Sequence, residues 1–248
     1  MVRLSWKMKV ALVLIGSSAA LSLFHILLFA DLHSLLFYLA LDVVFVPIQV
    51  LLVTVLIERL LTEREKQIVL RKLNMVIGAF FGEMGYTLLR IMGATCTDFS
   101  TLGQALAVAQ DWRKSHYEAA SGFIQSYQYK FDPDNLQLEH LRECLLQKRD
   151  LVLGLLQNPN LLEHDRFTDL LLAVCHLTEE LEARKSLKDL PRPDLKHLAS
   201  DIQRVFSLLV REWLSYMQHL RRHYPYMYSL SVRTNPFNPV ASPVVLSD

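Results

Sequence analysis

Two long apolar runs open the chain, and a helical alternation of apolar and polar positions fills most of the remainder. Residues 10–30 read VALVLIGSSAALSLFHILLFA with no charged side chain, and residues 34–57 read SLLFYLALDVVFVPIQVLLVTVLI with one acid, Asp42. A hydrocarbon core of ~30 Å takes about 20 apolar helical residues to cross. A helix also satisfies its own backbone hydrogen bonds where no water can. The pattern predicts transmembrane helices over 10–30 and 34–57, joined by an external turn at 31–33. A cleavable signal would end near Ser18-Ala19-Ala20, but the apolar run continues unbroken to Ala30, as an uncleaved anchor does.

Beyond Ile57 the helical period continues without Pro or Gly to Lys72, with Arg59 and Glu63 one turn apart. The second membrane helix is expected to run on as one rod. Residues 73–92, LNMVIGAFFGEMGYTLLRIM, are apolar enough to resemble a third span, but Asn74, Glu83 and Arg90 would be costly in lipid. They read instead as the central buried helix of a soluble domain, with Gly78, Gly82 and Gly85 leaving room for a packed neighbour. Further helices are predicted over 98–129, 136–157, 161–187 and 195–223, separated by Asp132-Pro133-Asp134-Asn135, Asn158-Pro159-Asn160 and Pro191-Arg192-Pro193, and stopped before Pro225. No stretch alternates with the period of a strand. The fold class is all-α: an N-terminal transmembrane helical hairpin, then a bundle of about five helices over 58–234 and a flexible tail over 235–248.

Charge placement orients the hairpin. Arg3, Lys7 and Lys9 lie in the short N-terminus, residues 1–9, and Arg59, Arg64, Lys66, Arg71 and Lys72 follow the second run, while the turn carries no Lys or Arg. Both ends are expected in the cytoplasm, at the plasma (inner) membrane. Of 26 basic and 25 acidic side chains, three and two fall before Glu58, so residues 58–248 carry 23 of each. That balance gives no net field to gather phosphates and argues against nucleic acid as a partner. Cys96, Cys144 and Cys175 form no C-x-x-C pair, as expected of reduced buried thiols.

Ser22 and His25 in the first run and Asp42 in the second are the intramembrane polar candidates. Counted from the turn, Asp42 lies about level with Ser22, and an acid at that depth should face its partner helix rather than lipid. Residues 211–237 crowd Trp213, Tyr224, Tyr226 and Phe237 among Arg211, Arg221, Arg222 and Arg233. Such a mixture serves an interface with lipid headgroups or a partner, or folds back with its rings inward. Metal-like spacings recur at His140/Cys144, His197/Asp201 and His219/His223, with His164 beside Asp165 and His176 three residues before Glu179. Nine histidines among many helices produce such pairs by chance, and no E-x-x-H, phosphate loop, nucleophile elbow or H-E-x-x-H is present. No metal, cofactor or catalytic residue is assigned from sequence.

The stretches LNMVIGAFFGEMG (73–85) and YPYMYSLSVRTNPF (224–237) resemble uncharacterised bacterial inner-membrane proteins that share the early hydrophobic pair. The resemblance implies that address and attaches no activity. The expected function is a membrane-anchored, non-enzymatic helical module that scaffolds or relays a signal. Its partners are the lipid bilayer and either another protein or a second copy. The alternative is a membrane-surface enzyme drawing on acids and histidines of the bundle; two helices alone cannot enclose a transport pathway.

Overall fold

The structure is a computed structural model that describes residues 6–29, 32–161 and 164–245. The expected external turn therefore lies partly outside the described residues, as do Arg3 and the last three residues of the tail. The chain divides into two compact units, residues 1–66 and 67–248. It folds as α1 (Trp6–Phe29), α2 (Leu32–Phe80), a π-helical turn (Phe81–Gly85), α3 (Tyr86–Gly93), α4 (Phe99–Ala105), α5 (Lys114–Ser126), α6 (Leu138–Gln147), α7 (Arg149–Leu156), α8 (Asp165–Ala183), α9 (Arg192–His223) and α10 (Pro225–Arg233). Short 3-10 turns occupy Pro133–Asn135 and Pro159–Leu161. The described residues form no strand beyond one isolated bridge between Cys96 and Phe131, so the all-α class holds.

The first unit contains α1 and the N-terminal part of α2. Among the described residues most of its large apolar side chains between Leu12 and Leu61 are exposed, with Ile26 and Leu35 half-buried. His33–Arg64 is long and apolar enough to cross a membrane, and Ala11–Leu27 is a shorter apolar helix. Leu73–Gly93 meets the same test of length and composition but is half buried in the second unit. Leu73, Ile77, Phe80, Phe81, Met84, Leu88 and Leu89 are core side chains there. Their spacing of three, four and one sweeps one wide face, the signature of a helix against a protein core.

The second unit is built around α9. Leu198, Ile202, Val205, Phe206, Leu209, Trp213, Met217 and Leu220 are buried at three- and four-residue steps, and this stripe packs against α8, α10, α3 and α5. From α8 it meets Phe167, Leu170, Leu171, Val174, Leu177 and Leu181, all fully buried. Gly78 shows why a small residue was needed in α2: a Cβ there would lie 3.0 Å from the Tyr216 hydroxyl. Gly82 has no such neighbour, and a Cβ on Gly85 would strike the Phe81 ring of its own turn. The three glycines therefore do not form one docking face.

The bundle is cut more finely than the sequence suggested. The helix expected over 98–129 is two, α4 and α5, because the carbonyls between them are claimed from far away. Asn235 Nδ2 donates to the Leu106 carbonyl at 2.9 Å, and the Tyr228 hydroxyl donates to the Ala109 carbonyl at 2.7 Å. The helix over 136–157 is broken at Lys148, whose ammonium lies 2.8 Å from Glu83. Pro225 ends α9 as expected and then serves as the first residue of α10, where its missing N–H costs nothing. The segment expected to be a flexible tail begins with three buried residues, Asn235, Pro236 and Phe237. It is anchored there, and only beyond Phe237 do its residues become exposed.

Candidate functional site

Helices α8 and α9 follow one another and run antiparallel. Their register is shown by three cross-pairs: His176 with Asp201, Glu180 with His197, and Arg184 with Asp194. Each helix contributes a pair at i, i+4, which places both side chains on one face. His176-x-x-x-Glu180 on α8 thereby meets His197-x-x-x-Asp201 on α9. Asp201 Oδ2 lies 3.6 Å from His176 Nε2 and 3.4 Å from His197 Nε2. Glu180 Oε1 is 3.9 Å from His176 Nε2, and its Oε2 is 3.5 Å from His197 Nε2.

Both carboxylates are steadied by arginines. Arg184 Nη1 donates to Glu180 Oε2 at 2.8 Å, and its Nε to Asp194 Oδ2 at 2.8 Å. Arg204 Nη1 lies 3.5 Å from Asp201 Oδ1. The Arg184 hydrogen bond, followed by the charge of Arg184 and the nearby imidazoles, holds the Glu180 carboxyl below its ordinary range. Asp201 is 3% exposed, and its Oδ2 is buried without a hydrogen bond. The imidazoles, in contrast, are about half exposed, at 46% and 49%. Among the described residues no group of three or more His, Cys, Asp or Glu side chains is placed to hold a metal ion.

A second feature is a cleft of about 530 Å³ beside α5 and α9, lined by Lys114, Glu118, Arg166, Arg211 and Arg222 among others. Arg166, on its wall, also pairs with a buried acid: Glu212, 2% exposed, accepts from Arg166 Nε at 3.0 Å and Nη2 at 2.9 Å. Arg166 also donates to the Ser215 hydroxyl. Lys114 is paired with Glu118.

The residues singled out from sequence are scattered by the fold. In the aromatic segment, Trp213 and Phe237 are buried with their rings 4.8 Å apart, and Tyr224 and Arg233 are half-buried. Tyr226 alone of that set stands out, at 75% exposure. In the first unit, the Ser22 hydroxyl donates to the Ser18 carbonyl of its own helix. His25 is half-buried, and Asp42 is exposed on α2. Of the metal-like spacings, His219 and His223 stack on each other at 4.4 Å. His164 caps α8 by accepting from the Phe167 N–H, and burial pushes the Cys144 thiol up. His197 and Asp201 do enter a cluster, together with His176. The partner of His176 on α8 is Glu180, however, and not Glu179. One residue decides this, because i, i+3 and i, i+4 are both legitimate helical pairs and only the register with α9 selects between them.

Two family models match the chain: the C-terminal helical domain of the uncharacterised protein MJ1433 over residues 69–233, and its N-terminal helical domain over residues 2–61. The uncharacterised protein MJ1433 of Methanocaldococcus jannaschii is 42% identical over 229 residues, which is 92% of each chain. That relative is archaeal, so it does not carry the bacterial address implied by the resemblance. No solved structure matches the chain.

Proposed function

We propose that this chain, which belongs to the MJ1433 family, is a membrane-anchored helical module that scaffolds or relays rather than catalyses. One observation carries the reading: most of the described large apolar side chains of α1 and of α2 up to Leu61 are exposed. In water such a surface would far exceed the apolar patches that soluble proteins expose. Lipid is the medium that makes it stable. Arg3, Lys7 and Lys9 at the N-terminal end and the basic residues after Ile57 support both termini in the cytoplasm at the plasma membrane, with the turn near Leu32 outside. Asp42 then requires a polar neighbour at membrane depth, supplied by Ser22 and His25 of α1 or by a second copy of the hairpin. The relay reading is supported by α2, a single helix of 49 residues that contributes to both units. A second reading, an enzyme at the membrane surface, is favoured by the meeting of His176, Glu180, His197 and Asp201.

Membrane extraction and reporter fusions test the proposal. The protein should resist alkaline carbonate and yield only to detergent. A reporter after Asp248 should read cytoplasmic, and one at Leu32 external. Release by carbonate would remove the anchor, and an external C-terminus would mean that residues 73–93 span the membrane.

A further inference from the structure

We infer that the cleft beside α5 and α9 is a binding site for a small organic diphosphate, gripped by arginines strung along α9. The cleft lies wholly within the second unit, so the inference stands apart from the membrane reading. Helical periodicity builds its walls. Arg211, Ser215, Gln218 and Arg222 follow one another at four-, three- and four-residue steps on α9, which turns them to one face. Lys114, Ser121 and Gln125 share a face of α5 in the same way, at seven- and four-residue steps. Arg166 enters from the first turn of α8. Tyr117, Ile124 and Leu214 supply a buried apolar lining.

The charges in this space do not cancel. Four cationic side chains and one acid line it. Lys114 pairs with that acid, Glu118, at 3.5 Å, and Arg166 is answered by Glu212. Arg211 and Arg222 are both exposed, and among the described residues neither has an acid within ion-pair distance. Arg142, Arg149, Arg184, Arg192 and Arg204 of the same unit each lie beside one. Beyond Ile57 the chain carries as many acids as bases, so the cleft is a local cationic excess on a neutral body. A concave wall of low dielectric focuses such a field on whatever anion enters.

The arrangement of the arginines selects the ligand. Arg166 gives Nε and Nη2 to Glu212 and Nη2 also to Ser215. Those bonds fix its guanidinium plane while the side chain stays 62% exposed, and Nη1 is left to donate to a ligand. Glu212 and Ser215 both fall between Arg211 and Arg222 in sequence, so Arg166 meets α9 between them. Arg211 and Arg222 stand eleven residues apart, about 16 Å along the axis at about 1.5 Å per residue. A single phosphate engages only part of such a row, whereas a diphosphate offers both of its ends. The guanidinium fork matches phosphate oxygens two at a time. A volume of about 530 Å³ falls among small-ligand sites, with Ser121, Gln125 and Gln218 left to hydrogen-bond the organic body. The diphosphate reaches the cleft either on a soluble molecule or as the headgroup of a lipid.

The test titrates the full chain in detergent micelles by calorimetry with two probes. One is inorganic pyrophosphate; the other is farnesyl diphosphate, which carries the same group on a membrane-soluble chain. The expected result is saturable binding of one equivalent that weakens as salt is raised, because charges at an open site are screened. Arg211→Gln and Arg222→Gln should each weaken it about tenfold or more, the size of one lost charge-assisted hydrogen bond. Arg222→Lys, which keeps the charge and loses the fork, should fall between Arg222→Gln and wild type. Lys188→Gln removes an exposed positive charge outside the cleft and should bind as wild type. Equal or tighter binding of pyrophosphate assigns the site to a soluble ligand. A preference for farnesyl diphosphate that the arginine variants abolish assigns it to a lipid headgroup. Arg211 and Arg222 are exposed, so their variants keep the core, and circular dichroism checks this. Absence of saturable binding of either probe by the wild type, or undiminished binding by the double variant Arg211→Gln/Arg222→Gln, would overturn the inference.

Discussion

Replacing Phe237 by alanine tests the anchoring of the C-terminal segment more sharply than any truncation, because it leaves the backbone in place. The Phe237 ring is 1% exposed and packs against Trp213 at 4.8 Å and Phe99 at 5.8 Å between ring centroids. Its N–H donates to the Asn235 side chain, which in turn donates to the Leu106 carbonyl between α4 and α5. Burial of this kind makes Phe→Ala cost about 3–5 kcal/mol. The low end applies here, because an open apolar groove lined by Phe99, Gly103 and Phe237 adjoins the ring and water can enter the space left. About 3 kcal/mol in a unit of this size lowers the melting temperature by about 6–12 °C. Tyr226, eleven residues earlier and 75% exposed, is the internal control. Its alanine variant should stay within about 0.5 kcal/mol of wild type. The assay is thermal unfolding of the full chain in detergent, followed by far-ultraviolet circular dichroism. If Phe237→Ala melts with the wild type, or Tyr226→Ala falls as far, the segment is held by something other than its buried ring.

Three further outcomes are expected. Arg166→Ala leaves the buried Glu212 carboxylate without its guanidinium and should cost about 1–3 kcal/mol; adding Glu212→Gln should recover part of that loss, and strict additivity in the double-variant cycle would refute the pairing. Burial, with His223 and Arg222 adding, lowers the His219 pKa to about 4. The folded pKa is below the unfolded value of about 6.5, so His219 favours the folded state above that pH and stability is lost as pH falls from about 6.5 towards 4. After allowance for partial exposure this amounts to about 1–2 kcal/mol, and His219→Leu should flatten that part of the pH–stability curve. Asp42→Leu should leave membrane insertion intact but change the apparent size of the protein in detergent by size exclusion; wild-type elution would mean that Asp42 serves no helix contact.

The apolar runs, the buried character of residues 73–92 and the long stripe of α9 were legible because each rests on local periodicity. What escaped was set by partners far along the chain. Nothing within residues 98–129 announces that the helix must open at Leu106 and Ala109, since the groups that take those carbonyls, Asn235 and Tyr228, come more than a hundred residues later. Asn235 and Phe237 looked like a loose tail for the same reason: Pro-rich composition marks an end to helix, not an end to packing. His197 and Asp201 were visible as a pair on one helix. Their conjunction with His176 and Glu180 depends on how far α9 slides along α8, a quantity fixed by the length of the connection and the Arg184–Asp194 clamp rather than by any motif.

The state of the three cysteines has a practical side. Burial raises the Cys96, Cys144 and Cys175 thiols above their ordinary pKa, and Cys96 is closed to solvent. Little thiolate is present at neutral pH, and the thiolate is the form that reacts with maleimides. The native chain is thus a quiet background for chemical labelling. A cysteine introduced at an exposed position of the second unit, such as Val240, would dominate the signal without first stripping out its natural thiols. The proposed sidedness can therefore be tested with impermeant reagents on a protein that still carries its full core.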